Sequence, residues 1–248
     1  MQPPAVKDHV APAVSQPLTA ARVALTAAPM PPYTDRDSKA RAIAARFAPI
    51  LSGSVLDVGC DQARLRQLVA CPQRYTGVDM TPGAADVVLD LDSAGGLLPF
   101  DDGSFDAAVC TDVLEHLERC HTVIDELCRV SKRWALVSLP NPLRSLIDAL
   151  LDRNYCDWKH YGLPSERPVD RHRWFFSAAG AERFVRDAAT RNGFTIAELI
   201  FESVGAYDAR DNQGRQFLDE PAVARGTLWA VLERSDNAGR NETMASSS

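Results

Sequence analysis

The sequence predicts an α/β fold in which helices cover both faces of a mainly parallel, doubly wound sheet of seven strands. Two observations carry this. Short β-branched runs alternate with segments of helical periodicity, and such alternation implies crossover connections. Acidic residues and a glycine also recur at the carboxyl ends of the runs, where doubly wound sheets place their ligands.

The elements follow in order. Residues 35–50 carry Ile43, Phe47 and Ile50 at helical spacing, so a helix is expected there. Residues 54–58 (SVLDV) form a strand that ends in Gly59, and residues 63–70 continue as a helix with Leu65, Leu68 and Val69 on one face. Further strands are expected at 74–78 (RYTGV), 86–91 (DVVLDL) and 105–110 (FDAAVC). A helix at 121–132 precedes a fifth strand at 134–139 (WALVSL), which stops at Pro140. Beyond it come a helix at 142–151, an aromatic-rich stretch at 155–176, a helix at 177–191, and strands near 194–201 and 228–234.

Both ends of the chain differ in character. Seven of the 16 prolines fall in the first 32 residues, without helical or strand period, so residues 1–33 read as a flexible extension and 235–248 as a solvated tail. One domain, residues 34–234, remains.

Composition narrows the function classes. The 33 acidic residues exceed the 27 Lys and Arg, for a net charge of -6, which disfavours a protein built to grip phosphate backbones. No apolar run reaches the roughly 18 residues that span a bilayer, and the start lacks the order of a secretory signal, so a cytoplasmic protein is expected. Cysteines at 60, 71, 110, 120, 128 and 156 show no CxxC pair and read as free thiols. No metal site is expected.

The strand ends bring the chemistry together. Asp57 and Gly59 close the first strand, Asp79 the second and Asp90 the third, while Thr111 and Asp112 follow the fourth. Gly59 permits a sharp turn where a ligand approaches, and Asp79 is placed to accept hydrogen bonds from both hydroxyls of a ribose. Taken one at a time, such aspartates also serve as caps and turn residues.

With these residues in view, the sequence resembles the class I S-adenosylmethionine-dependent methyltransferases of the type 11 kind. VLDVGCDQARL at 55–65 looks like their first motif and YTGVDM at 75–80 like the second. LPFDDGSFDAAVCTDVLEHL at 98–117 is similar to the segment around their fourth strand. The resemblance runs from about residue 35 to 140. Later stretches, SLPNP at 138–142, YGLP at 161–164 and DRHRWFF at 170–176, look like a subgroup of bacterial glycan and secondary-metabolite pathways.

The resemblance implies a Rossmann-like fold with an aromatic-rich lid at about 141–176, and S-adenosylmethionine as cofactor. Asp57 and the Gly59 turn would hold its methionine end, Asp79 the ribose, Asp90 with Leu91 the adenine, and Thr111 and Asp112 the sulfonium side, with Met80 a further cofactor-binding residue. One departure stands out: the family's turn commonly has glycine at alternate positions, and here Asp61 and Ala63 occupy the second and third. Asp61 either pairs with the cofactor's ammonium group or impairs the site. The local excess of ten Asp over three Arg across 54–112 suits a cationic ligand.

Methyl transfer from a sulfonium needs chiefly alignment and the exclusion of water. A hydroxyl acceptor also benefits from a general base. His172 is the preferred base and His116 the second candidate, each competing with a structural role. Tyr155, Trp158, His160, Tyr161, Arg171 and Trp174 are the expected acceptor contacts, since six of the chain's 18 aromatics fall within 155–176. A satellite core is the competing reading of that stretch. The expected partner is a small hydroxylated or sugar-like acceptor. A nicotinamide-dependent oxidoreductase lacks its GxGxxG turn here, and a non-catalytic cofactor-binding scaffold remains the rival from another class.

Overall fold

Seven strands hydrogen-bond in the order β3-β2-β1-β4-β5-β7-β6. The computed structural model describes residues 28–143, 146, 171–203 and 225–235. The strands are β1 (Val55–Val58), β2 (Tyr75–Asp79), β3 (Val87–Val88), β4 (Phe105–Thr111), β5 (Ser131–Leu139), β6 (Phe194–Ser203) and β7 (Arg225–Arg234). Strands β1 to β5 pair in parallel, and β7 enters antiparallel between β5 and β6. The sheet is the expected mainly parallel one, with its order reversing between β1 and β4.

Alternation along the strands builds two cores. On one face Leu56, Val58, Ala108, Cys110, Ala135 and Val137 pack with helices α2 (Cys120–Val130) and α3 (Ala178–Arg191). On the other, Val55, Ala107, Val109, Leu136 and Trp229 pack with Ile43 and Phe47, which belong to helix α1 (Arg36–Arg46) and its C-cap. Burial on both faces explains why the inner strands read as nearly continuous apolar runs.

Local chemistry sets the helix ends. Asp35 caps α1, its carboxylate accepting the Ser38 N–H at 2.7 Å while the Ser38 hydroxyl accepts the Asp35 N–H at 3.0 Å. Ser177 caps α3 through its hydroxyl oxygen, which accepts the Gly180 N–H at 3.1 Å.

Several expectations change. Residues 63–70 form a run of turns rather than a helix, and the cause lies in the left-handed residues before and at their start, described below. The third strand shrinks to Val87–Val88, because Asp90 turns its carboxylate to the N–H groups of Asp92 and Ser93. Packing also reaches further toward the N-terminus than composition suggests: Met30 is buried, and the Tyr33 hydroxyl donates to Glu202 at 2.6 Å. The expected helix at 142–151 and most of the expected lid lie outside the described residues. Among the described residues, no helix is long and apolar enough to cross a membrane.

Candidate functional site

The floor of the site is the turn that leaves β1. Gly59, Asp61 and Ala63, at alternate positions, all have left-handed backbone, with φ of 77°, 49° and 50°. The turn therefore keeps the shape that glycines at all three positions would adopt freely, although two of the three carry a Cβ. Aspartate tolerates this region better than most residues, whereas alanine is strained there by about 1–2 kcal/mol. A Cβ on Gly59 would meet the Val113 side chain at 2.2 Å, so this position admits no larger residue.

Two sets of bonds hold the turn. The Gly59 and Cys60 N–H groups donate to the Val78 carbonyl at 2.8 and 3.1 Å. Asp79, at the end of β2, accepts the Asp61 N–H at 2.9 Å and the Thr81 N–H at 2.8 Å. Asp79 thus stands where expected, with its carboxylate engaged in shaping the turn.

Above the turn lies a cavity of about 410 Å³, within the usual range for small-ligand sites. Its lining brings together Asp57, Gly59, Asp61, Thr111, Asp112, His116 and His172 of the sequence-expected residues. Met80 is 68% exposed, Asp90 caps its own turn and Leu91 is in the core. None of these three lines the cavity, and neither does Asp79. Trp174 is turned elsewhere, its indole N–H on the Leu117 carbonyl at 2.6 Å and its ring edge-on to His121. Arg171 contributes its carbonyl to His116. Tyr155, Trp158, His160 and Tyr161 lie outside the described residues.

Acidic and basic side chains of the cavity lining meet in ion pairs. Asp57 is buried and accepts the Tyr75 hydroxyl at 2.5 Å. Burial raises its pKa, the Tyr75 hydrogen bond works against this, and nearby Asp79 adds repulsion; the result is about 6. Asp61 faces Arg36 at 2.8 Å and is also paired with Arg64. Burial would raise its pKa, but the hydrogen bonds from Arg36 and Arg64 bring it below the ordinary value.

Asp112, itself at φ 54°, pairs with Lys39 and accepts the Ser138 hydroxyl at 2.6 Å. Burial opposes its ionisation, yet the Lys39 charge and these hydrogen bonds hold its carboxyl below the usual range. Lys39 also lies over the Trp229 ring, 5.2 Å from its centroid. Arg36, Lys39 and Arg64 were missed by sequence reasoning. The apolar stripe of α1 signals a helix, but not which strand ends its basic residues overhang.

A third group closes the far side. Glu115, 1% exposed, lies beside His116, with Oε1 3.7 Å from Nε2. The His116 and His172 rings meet edge-on with centroids 4.7 Å apart. His116 Nδ1 lies 2.9 Å from the Arg171 carbonyl, which can only accept, so Nδ1 carries a proton. The chain around His172 is joined to the chain around Glu115: the Arg173 N–H donates to the Glu115 carbonyl at 2.7 Å, and Arg173 Nε to the His116 carbonyl at 3.0 Å.

The arrangement suits a ligand bearing both charge signs. Carboxylates of Asp57 and Asp61 can meet an ammonium group, and Arg36 and Arg64 a carboxylate; the amino acid end of S-adenosylmethionine has both.

Residues 56–138 match the methyltransferase domain family. No curated protein matches the chain. Among solved structures, the chain is similar to a SAM-dependent methyltransferase from Archaeoglobus fulgidus, with 18% identity, 80% of this chain and 94% of that one covered, and a TM-score of 0.49. It is similar to magnesium protoporphyrin IX methyltransferase from Synechocystis PCC 6803 with bound SAH, at 18% identity, 80% and 83% coverage and a TM-score of 0.48. A third likeness is to the cyclase SpnF, at 17% identity, 80% and 82% coverage and a TM-score of 0.47. The match to the methyltransferase domain family spans β1 through β5, the part of the sheet whose strand ends shape the cavity, and includes the three motifs in order.

Proposed function

We propose that the protein transfers a methyl group from S-adenosylmethionine to a hydroxyl of a small sugar-like or secondary-metabolite acceptor. The observation that carries the reading is one cavity in which the β1 turn, the acidic residues of the strand ends and two histidines meet. The resemblance and the absence of a basic excess point to the acceptor class.

When bound, S-adenosylmethionine supplies a methyl group made electrophilic by its sulfonium. Asp57 and Asp61 receive the ammonium group, Arg36 and Arg64 the carboxylate, and Thr111 and Asp112 border the sulfonium. By holding the acceptor oxygen in line with the methyl group, the chain removes about 7–11 kcal/mol of entropic and solvent barrier. His172, with His116 behind it, takes the hydroxyl proton, a contribution of about 10²- to 10⁴-fold.

Calorimetric titration with S-adenosylmethionine, followed by a mass-spectrometric screen of methyl acceptors, tests the reading. Binding and the appearance of a methylated small hydroxyl compound are expected; a folded sample that binds no S-adenosylmethionine overturns it. His172→Ala should lower turnover at least tenfold with cofactor affinity nearly unchanged, whereas loss of both would assign the residue to structure.

A further inference from the structure

We propose that Tyr75 is a positioning residue for the cofactor's amino group, its hydroxyl keeping the Asp57 carboxylate charged and fixed in the wall of the cavity. The inference deepens the proposed function and rests on it for the identity of the ligand alone, since the Tyr75–Asp57 pair belongs to the protein itself.

Strand register explains how the two residues meet. Asp57 on β1 stands opposite Gly77 on β2, and Tyr75 stands opposite Val55, two residues back on the same face of the sheet. A long aromatic side chain can span such a diagonal when nothing fills the place between. Gly77 leaves that place open: a Cβ there would meet Tyr75 Cε1 at 3.3 Å and Cys60 Sγ at 2.7 Å. The ring reaches across the glycine, and its hydroxyl donates to Asp57 Oδ2 at 2.5 Å. Both residues are buried, yet Asp57 also lines the cavity.

A further layer holds the ring. The Arg66 guanidinium lies over it, 4.7 Å from its centroid. Arg66 in turn donates to the Asp86 carboxylate at 2.6 Å and to the Ala84 carbonyl at 3.2 Å, and the same Asp86 oxygen accepts the Gly77 N–H at 2.7 Å. Asp86, Arg66 and Tyr75 thus form a chain that leads from the start of β3 to the carboxylate. None of the three lines the cavity, so they act on a ligand through Asp57.

The chemistry of the pair gives it a function. Burial favours the neutral form of a carboxyl, and a neutral Asp57 offers an ammonium group no countercharge. Burial raises the Asp57 pKa, the Tyr75 hydrogen bond opposes this, Asp79 on β2 adds repulsion and the Arg66 charge lowers it again, with a balance at about 6. The remaining titratable groups around it keep their protons through that range. Burial pushes the Cys60 thiol up to about 12 and the Cys110 thiol on β4 well above its ordinary value. Burial and the Asp57 charge raise the Tyr75 phenol, which therefore stays a donor. Without that donor the carboxyl moves further up, toward the pH at which the cofactor must bind.

The test compares the full-length protein with Tyr75→Phe, which keeps the ring and removes the hydroxyl. Carbon-13 carboxyl NMR follows the titration of Asp57 in the absence of ligand, with Asp57→Asn identifying its signal. Loss of a hydrogen bond to a charged group should raise the midpoint by about one pH unit. Calorimetry with S-adenosylmethionine should then give a parent-to-variant affinity ratio about fivefold larger at pH 6 than at pH 8. Arg66→Met, at a more exposed position, should move the midpoint the same way by less, and it decides should Tyr75→Phe lose its far-UV circular dichroism. An unchanged midpoint in the folded variant, or an affinity loss equal at the two pH values, overturns the inference. If both proteins bind S-adenosylmethionine and the midpoint stays in place, only this inference falls. If the midpoint moves and neither protein binds S-adenosylmethionine, the Tyr75–Asp57 coupling stands and the methyltransferase reading falls.

Discussion

Asp57 offers a test of where the cofactor's ammonium group lies. With a pKa of about 6, this buried carboxyl is about half protonated at pH 6 in the empty site. An ammonium about 4 Å away at an effective dielectric of about 20 interacts by about 4 kcal/mol, so a depression of two pKa units is a conservative expectation. Binding at pH 6 then releases about half a proton, rising to about 0.8 at pH 5 and vanishing near pH 7.5.

The sign follows from proton counting. The free site holds more protons than the bound one below about pH 6, so affinity must fall as pH falls. Between pH 7.5 and pH 5 the loss is about tenfold. Calorimetry in buffers of different ionisation enthalpy measures the proton release directly, and Asp57→Asn should abolish the part that belongs to this residue. Equal release by the parent and by Asp57→Asn, or none by the parent at pH 5, would refute the placement of the ammonium at Asp57.

Three variants probe the turn. Ala63→Gly relieves left-handed strain and should raise the thermal midpoint by an amount equivalent to about 0.5–1 kcal/mol, less whatever is lost with the buried methyl group; a lowered midpoint contradicts the strain argument. Gly59→Ala combines a φ of 77° with a Cβ 2.2 Å from Val113 and should cost about 2–4 kcal/mol in denaturant unfolding, together with cofactor affinity. Asp79→Ala removes the acceptor of the Asp61 and Thr81 N–H groups and should cost about 1–3 kcal/mol while weakening S-adenosylmethionine at least tenfold; an unchanged dissociation constant would detach the end of β2 from the cofactor.

Much of the sheet was legible because strands buried on both faces announce themselves as apolar β-branched runs. The runs at 54–58, 105–110 and 134–139 lie within β1, β4 and β5 or overlap them closely. Residues 63–70 misled for a local reason: Leu65, Leu68 and Val69 have helical spacing, but periodicity does not register that Asp61 and Ala63 have left-handed backbone just upstream.

The site was legible along one chain segment at a time. Asp57, Gly59, Thr111 and Asp112 could be placed because they stand at the carboxyl ends of two strands, β1 and β4. Partners supplied by another element, such as Lys39 for Asp112, Tyr75 for Asp57 and the Arg171 carbonyl for His116, carry no signal in spacing. Such contacts depend on crossover geometry, which a linear pattern does not encode.

The position of β7 bears on how the molecule is made. It pairs on one side with β5 and on the other with β6, so its residues Leu228 to Leu232 occupy a slot between strands synthesised before it. Until that strand emerges from the ribosome, the edges of β5 and β6 stay open, with Leu136 and Val137 paired to β4 alone. The nascent chain therefore passes through a stage with an adhesive β edge, and closure requires β7 to pair with the distant β5 as well as with β6, its neighbour in sequence. Overproduction should accordingly be limited more by association of these incomplete chains than by the stability of the finished fold.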